Sequence, residues 1–190
     1  MLEAAAAISR TNSALVLVDY QARLMPMIHR GEQAAANALR LADAARELGI
    51  RTIGTEQNPA GLGPNVEELR QRCEITLSKM HFDACEDGLL DVLRGGDPAA
   101  LPVEVVIAGC EAHVCLLQTA LGLLRAGHRV WVVAPACGSR AASDHGLAMQ
   151  RLQQAGAVIV STEMVVFEWL HSCRHPRFKP VLQLVKTQIE

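Results

Sequence analysis

Short β-branched runs alternate regularly along this chain with longer segments in which apolar residues recur at helical spacing. A short apolar run bounded by turn residues is typical of a strand buried on both faces of a parallel sheet. We predict six such strands: Ala14–Asp19, Arg51–Glu56, Ile75–Lys79, Val103–Gly109, Arg129–Val133 and Ala157–Ser161.

Amphipathic helices are predicted between these strands, and several end at a glycine, as helix C-caps commonly do. The predicted helices are Glu32–Leu48, Gly88–Arg94, Val114–Ala126 and Asp144–Gln154, with covering helices expected beyond Thr162. Right-handed βαβ crossovers put helices on both faces of a parallel sheet. The sequence therefore predicts an α/β fold of three layers, doubly wound and Rossmann-like, with a six-stranded parallel sheet in the order 3-2-1-4-5-6.

Composition supports one aliphatic domain over residues 1–190, since half of the residues are hydrophobic and only 3% are aromatic. The formal net charge of −2 gives no electrostatic reason to expect nucleic acid or an anionic membrane as a partner. The apolar stretch Ala4–Ile8 is too short, and lacks the basic flank, for a signal or a span. We expect a cytoplasmic protein, and small molecules or other proteins remain as its partners.

The six cysteines lack the C-x-x-C spacing of zinc sites and the density of a disulfide-stapled domain, so mostly reduced thiols are predicted. The segment Asp19–Pro26 after the first strand contains no G-x-G-x-x-G turn. A dinucleotide-dependent oxidoreductase of this architecture is therefore not expected, and we predict no cofactor.

Three polar positions stand at the carboxyl ends of predicted strands, where open α/β sheets bind ligands. Asp19 ends the first strand, Lys79 ends the third, and Gly109–Cys115 leads from the fourth strand into a helix. In the predicted order the first and fourth strands are neighbours. Asp19 and Cys115 should then face each other where the strand order reverses.

These residue types fit nucleophilic catalysis. The first turn of a helix lowers the pKa of a thiol, and Cys115 is predicted to lie there. The free amides after the turn at Gly109 could also bind an oxyanion. Asp19 could take the thiol proton while Lys79 holds the carboxylate ionised and oriented. Each residue also has a structural explanation: a strand-ending carboxylate, a surface lysine and a small core thiol.

Several segments together resemble the isochorismatase-like cysteine hydrolases, most closely the isochorismatase-domain-containing subgroup. The matching segments cover nearly the whole chain: A-L-V-L-V-D-Y-Q at 14–21, T-E-Q-N-P-A-G-L-G-P at 55–64, L-S-K-M-H-F at 77–82, G-C-E-A-H-V-C-L-L-Q-T-A at 109–120, R-L-Q-Q-A-G-A-V-I-V-S-T-E at 151–163 and H-P-R-F-K at 175–179.

The resemblance implies a catalytic triad that falls on Asp19, Lys79 and Cys115. It also implies a cis peptide before the nucleophile, expected at Cys110–Glu111, which would aim the amides of Glu111 and Cys115 at one oxyanion. Members of the family are usually homo-oligomers, so we expect one here, with pocket residues from a neighbouring subunit possible.

Two departures narrow the assignment. Nicotinamidases of the superfamily have a metal-binding Asp and His where this chain has Gln57 and Pro59. A catalytic metal and nicotinamidase activity are therefore not expected. True isochorismatases lack the nucleophilic cysteine, so the family name does not identify the substrate.

The leading hypothesis is hydrolysis of a small amide, carbamoyl or related acyl compound through a covalent thioester. The loops near the site suggest substrate contacts at Gln57, Asn58, His81 and Phe82. An alternative is an oligomeric scaffold or a redox-responsive module with little turnover, because an exposed thiol of low pKa is also what a peroxide sensor needs.

Overall fold

A six-stranded parallel sheet runs through the structure, a computed structural model that describes residues 7–95, 97 and 103–186. The strand order is β3-β2-β1-β4-β5-β6, which confirms the predicted topology. The strands are β1 (Ser13–Val18), β2 (Arg51–Gln57), β3 (Ile75–Lys79), β4 (Glu104–Gly109), β5 (Arg129–Val133) and β6 (Val158–Val160).

Helices cover both faces of this sheet, as the alternation in the sequence predicts. Helix α1 packs against α7 and α8, and α5 packs against α6. The helices are α1 (Gly31–Leu48), α2 (Pro59–Leu62), α3 (Glu67–Arg70), α4 (Leu89–Arg94), α5 (Leu117–Arg125), α6 (Ala142–Gln154), α7 (Thr162–Leu170) and α8 (Phe178–Lys186). Within the described ranges, no helix has the length and hydrophobicity needed to cross a membrane.

The two central strands carry the core. Strands β1 and β4 are buried from their second residue to their last, and their register places Val16 beside Ile107 and Val18 beside Gly109. Aliphatic β-branched side chains fill this region because a central parallel strand is covered on both faces. The carboxyl ends of β1 and β4 consequently lie next to each other.

The prediction that all six strands are buried is wrong for the two edges. Strand β3 is largely exposed or half-exposed, with Ile75 40% exposed, and Val158 of β6 is 41% exposed. Each has only one neighbouring strand, so part of its surface is left to solvent.

The other predicted boundaries agree within one or two residues, except around the nucleophile. The helix predicted to begin at Val114 begins instead with a π-helical turn, Ala112–Leu116, followed by α5. The predicted loop Asn58–Asn65 contains the single-turn helix α2. Such a short helix leaves too few residues for an apolar period to be visible in the sequence.

Candidate active site

The three predicted catalytic residues lie at or just after the carboxyl ends of three different strands. Asp19 follows β1, Lys79 is the last residue of β3, and Cys115 lies in the π-helical turn after β4. Strands β1 and β4 are adjacent, while β2 separates β1 from β3. Parallel strands end at the same edge, so all three side chains start from neighbouring positions.

Asp19 and Lys79 form a fully buried ion pair. Lys79 Nζ lies 2.8 Å from Asp19 Oδ2, and neither side chain has exposed surface. Asp19 adopts a left-handed backbone conformation with φ of 52°, and its Oδ1 accepts a 2.7 Å hydrogen bond from Thr55 Oγ1. A buried charge requires a close counter-charge. The burial of Asp19 therefore requires Lys79 beside it, and the burial of Lys79 requires Asp19.

The second carboxylate oxygen of Asp19 keeps hydrogen-bonding capacity. Its contact with Lys79 is short but poorly aligned, and among the described residues no donor makes a hydrogen bond of good geometry to Oδ2. A buried acceptor without an aligned donor is uncommon. Asp19 Oδ2 can thus receive a proton from a neighbouring group.

The ammonium of Lys79 has two further acceptors. Its Nζ donates to Gln57 Oε1 at 2.6 Å and to the carbonyl of His81 at 3.4 Å. Gln57 Nε2 donates to the carbonyl of Met80 at 2.8 Å. The Gln57 amide, predicted as a substrate contact, is therefore engaged on both sides by the protein, and its Oε1 also lies 3.8 Å from Cys115 Sγ.

Cys115 is buried beside this pair, and its acidity differs from the sequence prediction. Burial first and the charge of Asp19 second raise the pKa of its thiol to about 12, although Lys79 acts in the opposite direction. Both side chains also act on the pKa of Cys115 through hydrogen bonding, so the three groups form one cluster. The predicted lowering of the pKa is wrong because only 7% of the residue is exposed and a carboxylate lies beside it.

The turn before the nucleophile contains the predicted cis peptide, Cys110–Glu111. The amide of Ala112 donates to the carbonyl of Gly138 at 2.6 Å, and that of Val114 to the carbonyl of Glu111 at 3.0 Å. Within the described part of the chain, the amide of Glu111 donates to no backbone carbonyl. It is therefore available to a ligand.

Gly109 allows this turn to approach β1 closely. Its φ is 153°, and a Cβ atom at this position would lie 2.3 Å from the carbonyl oxygen of Val18. No side chain fits there. The absence of a side chain lets the segment carrying Glu111 and Cys115 pass directly beside the end of β1.

The remaining predicted substrate contacts lie at the surface. Asn58 is exposed, and its amide donates to the carbonyl of Lys79 at 2.8 Å. The His81 ring lies 3.0 Å from Asp87, which raises the pKa of His81, and Phe82 is 50% exposed. Their roles in substrate binding stay predictions.

Three further polar residues, not predicted from the sequence, form hydrogen bonds with the site residues or with the loop after β3. Thr55 bonds Asp19, and the side chain of Gln21 binds both the amide and the carbonyl of Gln57, at 2.9 and 3.0 Å. Thr119 of α5 is fully buried, and its hydroxyl forms hydrogen bonds with two backbone groups of the loop after β3. Polar side chains inside otherwise apolar elements were the available signal, because buried polar groups need partners.

Two clefts of the structure lie away from this cluster. One, of about 300 Å³, lies beside the first turns of α1 and α6, and another, of about 470 Å³, is lined by residues near Arg10 and Trp169. Buried charges rather than cavity size identify the candidate site. In the described portion of the chain, no group of three or more His, Cys, Asp or Glu side chains is arranged to hold a metal ion.

Comparison with known proteins gives consistent results. The isochorismatase domain family model matches residues 13–164. Isochorismatase domain-containing protein 2 of Danio rerio is 36% identical over 94% of this chain and 89% of its own length. A structure described as MAR1 ribonuclease from Caenorhabditis elegans is 36% identical, with a TM-score of 0.88 over 97% of this chain and 95% of that one.

Two structures named YcaC are also similar. The Pseudomonas aeruginosa protein, described with hexane-2,5-diol and covalent acrylamide, is 26% identical, with a TM-score of 0.83 over 94% of this chain and 91% of that one. The Escherichia coli protein, described as an octameric hydrolase of unknown specificity, is 25% identical, with a TM-score of 0.80 over 97% and 98% of the two chains.

Proposed function

The chain belongs to the isochorismatase family of hydrolases, and from this premise we propose that it hydrolyses a small amide, carbamoyl or related acyl compound through a covalent thioester on Cys115. One observation carries the proposal: a buried Asp19–Lys79 pair whose carboxylate retains an unused acceptor beside a buried thiol. Stability alone does not explain such a cluster, because apolar side chains of similar volume would fill the space without the free-energy cost of desolvating two charges.

In the first half of the reaction, Cys115 Sγ attacks the substrate carbonyl carbon while its proton moves to Asp19 Oδ2. The carbonyl oxygen becomes an oxyanion, which the amides of Glu111 and Cys115 stabilise. The tetrahedral intermediate then breaks its C–N bond, and Asp19 returns the proton to the leaving nitrogen. An amine or ammonia departs, and a thioester remains.

In the second half, water attacks the thioester carbonyl and gives a proton to Asp19. The C–S bond breaks, the acid is released, and the proton on Asp19 returns to Cys115. Lys79 provides the counter-charge that a buried carboxylate needs in order to accept and return a proton repeatedly. No step of this cycle requires a metal, and we propose that the enzyme is metal-independent.

The raised pKa of Cys115 favours this concerted form of activation. At neutral pH a thiol whose pKa is about 12 is almost entirely protonated. Attack together with proton transfer to Asp19 avoids the need to populate the free thiolate first. The same property argues against the redox-responsive alternative, because peroxide reacts with the thiolate and a sensor cysteine is exposed and acidic.

A relative supports a nucleophile in this fold. The Pseudomonas aeruginosa protein is described with covalent acrylamide, and acrylamide is an electrophile that thiolates attack. A reactive nucleophile at the corresponding edge of the sheet would explain such a product.

RNA is a competing substrate, since one similar structure is described as a ribonuclease. This chain has 18 basic and 20 acidic residues. A net charge of −2 gives no overall electrostatic attraction to a polyanion. We therefore propose a small molecule, and incubation of structured and single-stranded RNA with the protein and with Cys115→Ala separates the two hypotheses.

We also propose a homo-oligomer. The Escherichia coli relative is described as octameric, and Met80 and Phe82, beside Lys79, are 66% and 50% exposed. Large apolar side chains at the mouth of a site favour coverage by a second copy. Light scattering across a concentration series tests the assembly.

The experiment that tests the function is an ammonia-release and acid-release screen over primary amides, carbamoyl compounds and esters. Cys115→Ala and Asp19→Asn are compared with Cys173→Ala, which changes an exposed thiol. We expect turnover of at least one class, lost by about a thousandfold or more in the first two variants and unchanged in the third. Turnover that survives Cys115→Ala would reject the proposal.

A further inference from the structure

Lys79 lies at the end of an edge strand of the sheet. It ends β3, an edge strand with a single neighbour, whereas Cys115 belongs to the crossover after β4, on the far side of β2 and β1. Sheet pairing aligns Lys79 with Gln57, and the carbonyl of Lys79 accepts from the amide of Asn58 just beyond β2. Some other contact must hold the chain after β3 against the helix that carries the nucleophile.

Thr119 makes that contact. Its hydroxyl donates to the carbonyl of Phe82 at 3.2 Å and accepts from the amide of Ala84 at 3.1 Å. One buried hydroxyl thus uses its donor and an acceptor on two backbone groups of the loop that follows Lys79. Thr119 lies four residues after Cys115, which places both on the same side of the helix.

Asp83, between the two bonded backbone groups, completes the attachment. It is buried, its Oδ1 accepts from the amide of Cys85 at 2.9 Å, and its Oδ2 pairs with Arg125 Nη2 at 2.8 Å. A Cβ atom at Gly122 would lie 2.4 Å from Asp83 Oδ2. The helix therefore has a glycine where the carboxylate lies against it.

The loop in turn holds the ammonium. The carbonyl of His81 accepts a hydrogen bond from Lys79 Nζ at 3.4 Å. The carbonyl of Met80 accepts one from Gln57 Nε2, and Gln57 Oε1 in turn accepts one from Lys79 Nζ. Contacts therefore run without interruption from α5, through the loop 80–85, to the lysine.

We propose that Thr119, supported by Asp83, is a positioning residue that holds Lys79 in contact with Asp19 and Cys115. The inference rests on the proposed function, because it assigns Thr119 a part in the chemistry of Cys115. A purely structural role, as a bond that fastens a surface loop, predicts a change in stability without a selective change at Cys115.

The chain contains thiols that separate these roles. Cys115 reports on the site, Cys85 lies in the attached loop with its Sγ 3.9 Å from the carbonyl of Thr119, and exposed Cys173 serves as a reference. Peptide mass spectrometry after timed iodoacetamide treatment at pH 9 gives a rate constant for each. At that pH the rate follows the thiolate fraction, which Lys79 increases at Cys115.

We expect Thr119→Val to slow alkylation of Cys115 by about tenfold, equivalent to one pKa unit, with the remote Cys173 unchanged. Thr119→Ser keeps the hydroxyl and should restore the rate to within about twofold. An unchanged rate at Cys115 in Thr119→Val, or faster alkylation of Cys85 and Cys115 together, would overturn the positioning role. A serine variant that fails to restore the rate would do the same.

Arg125→Gln covers the case in which Thr119→Val does not fold, because the Arg125 side chain is 68% exposed. This change removes only the ion pair to Asp83 and should slow the alkylation of Cys115 by about twofold to threefold. If neither the alkylation rate of Cys115 nor turnover changes, the proposal is contradicted. Turnover of Cys115→Ala is measured in parallel. Survival of turnover there rejects the catalytic function, whereas loss of turnover with normal alkylation in the Thr119 and Arg125 variants rejects only the positioning role.

Discussion

The two halves of the candidate site are built differently. Asp19 and Cys115 follow β1 and β4, central strands whose side chains are almost all buried and whose ends touch at Val18 and Gly109. Lys79 ends β3, an edge strand that is largely exposed or half-exposed. Sheet topology brings the first two residues together, whereas we propose that the position of the lysine also depends on side-chain bonds to the loop that follows it.

The difference separates two sources of catalytic geometry. The central half is held by apolar burial and sheet register, so its faults should appear as losses of stability. The edge half is held by a few polar bonds, so its faults should appear mainly in the reactivity of Cys115.

Breaking the ion pair that joins the two halves should cost most. Lys79→Met leaves Asp19 buried without a counter-charge, and Asp19→Asn leaves Lys79 in the same position. Each should lower the free energy of unfolding by about 3–5 kcal/mol, measured by urea denaturation. The double variant should cost clearly less than the sum of the two; additive costs would show that the halves are not coupled through this pair.

Gly109→Ala should damage the central half by overpacking. Its Cβ atom would overlap Val18 at the close approach of β1 and β4, with an expected cost of about 3 kcal/mol. Gly146→Ala in α6 is the matched control, because nothing lies within 4 Å of its Cβ position. That change should be neutral or stabilise by about 0.5 kcal/mol, and equal melting temperatures for the two variants would contradict the structure.

Alkaline pH should weaken the fold through its buried thiols. The pKa of Cys115 rises from an ordinary 9.0 to about 12 in the folded protein, so above pH 9 the unfolded chain loses the proton and the folded one keeps it. Stability must then fall as pH rises, by up to about 1.4 kcal/mol per pH unit for each such thiol. Cys115→Ala should flatten the decline between pH 9 and 10, while Cys173→Ala should leave it unchanged.

The same isoleucine-to-valine change, made in a central strand and in an edge strand, compares how tightly the two strands are packed. Ile107→Val removes a methylene from a fully buried position of β4 and should cost about 1 kcal/mol. Ile75→Val in β3 removes the same group from a side chain that is 40% exposed and should change stability by less than about 0.5 kcal/mol. Equal costs would mean that the edge strand is packed as tightly as the centre.

Much of the fold was accessible from the sequence because parallel strands and their crossovers leave strong periodic patterns. The strand order, the crossover helices and the strand-end positions of Asp19 and Lys79 follow from those patterns. The exposure of β3 could not be predicted, because a strand pattern such as Ile75–Lys79 looks the same in the sequence whether the strand lies at the edge or in the centre of the sheet.

The chemistry of the site was less accessible. The sequence places Cys115 near a helix start, which predicts an acidic thiol, but the pKa depends on three-dimensional burial and on the approach of Asp19. Gln57 could be recognised as part of the site, yet its engagement by Lys79, Met80 and Gln21 depends on register between strands. Thr119 was visible as a polar residue in an apolar helix, but its partners, 35 and 37 residues away, could not be identified from the sequence.

The most direct test of the account is the intact mass of the protein, quenched in acid during turnover of an activated small ester or amide. The account predicts one added acyl group, mapped to Cys115, that disappears on base hydrolysis and never forms in Cys115→Ala. Continued turnover without any adduct in the parent protein, or an adduct that persists in Cys115→Ala, would contradict it.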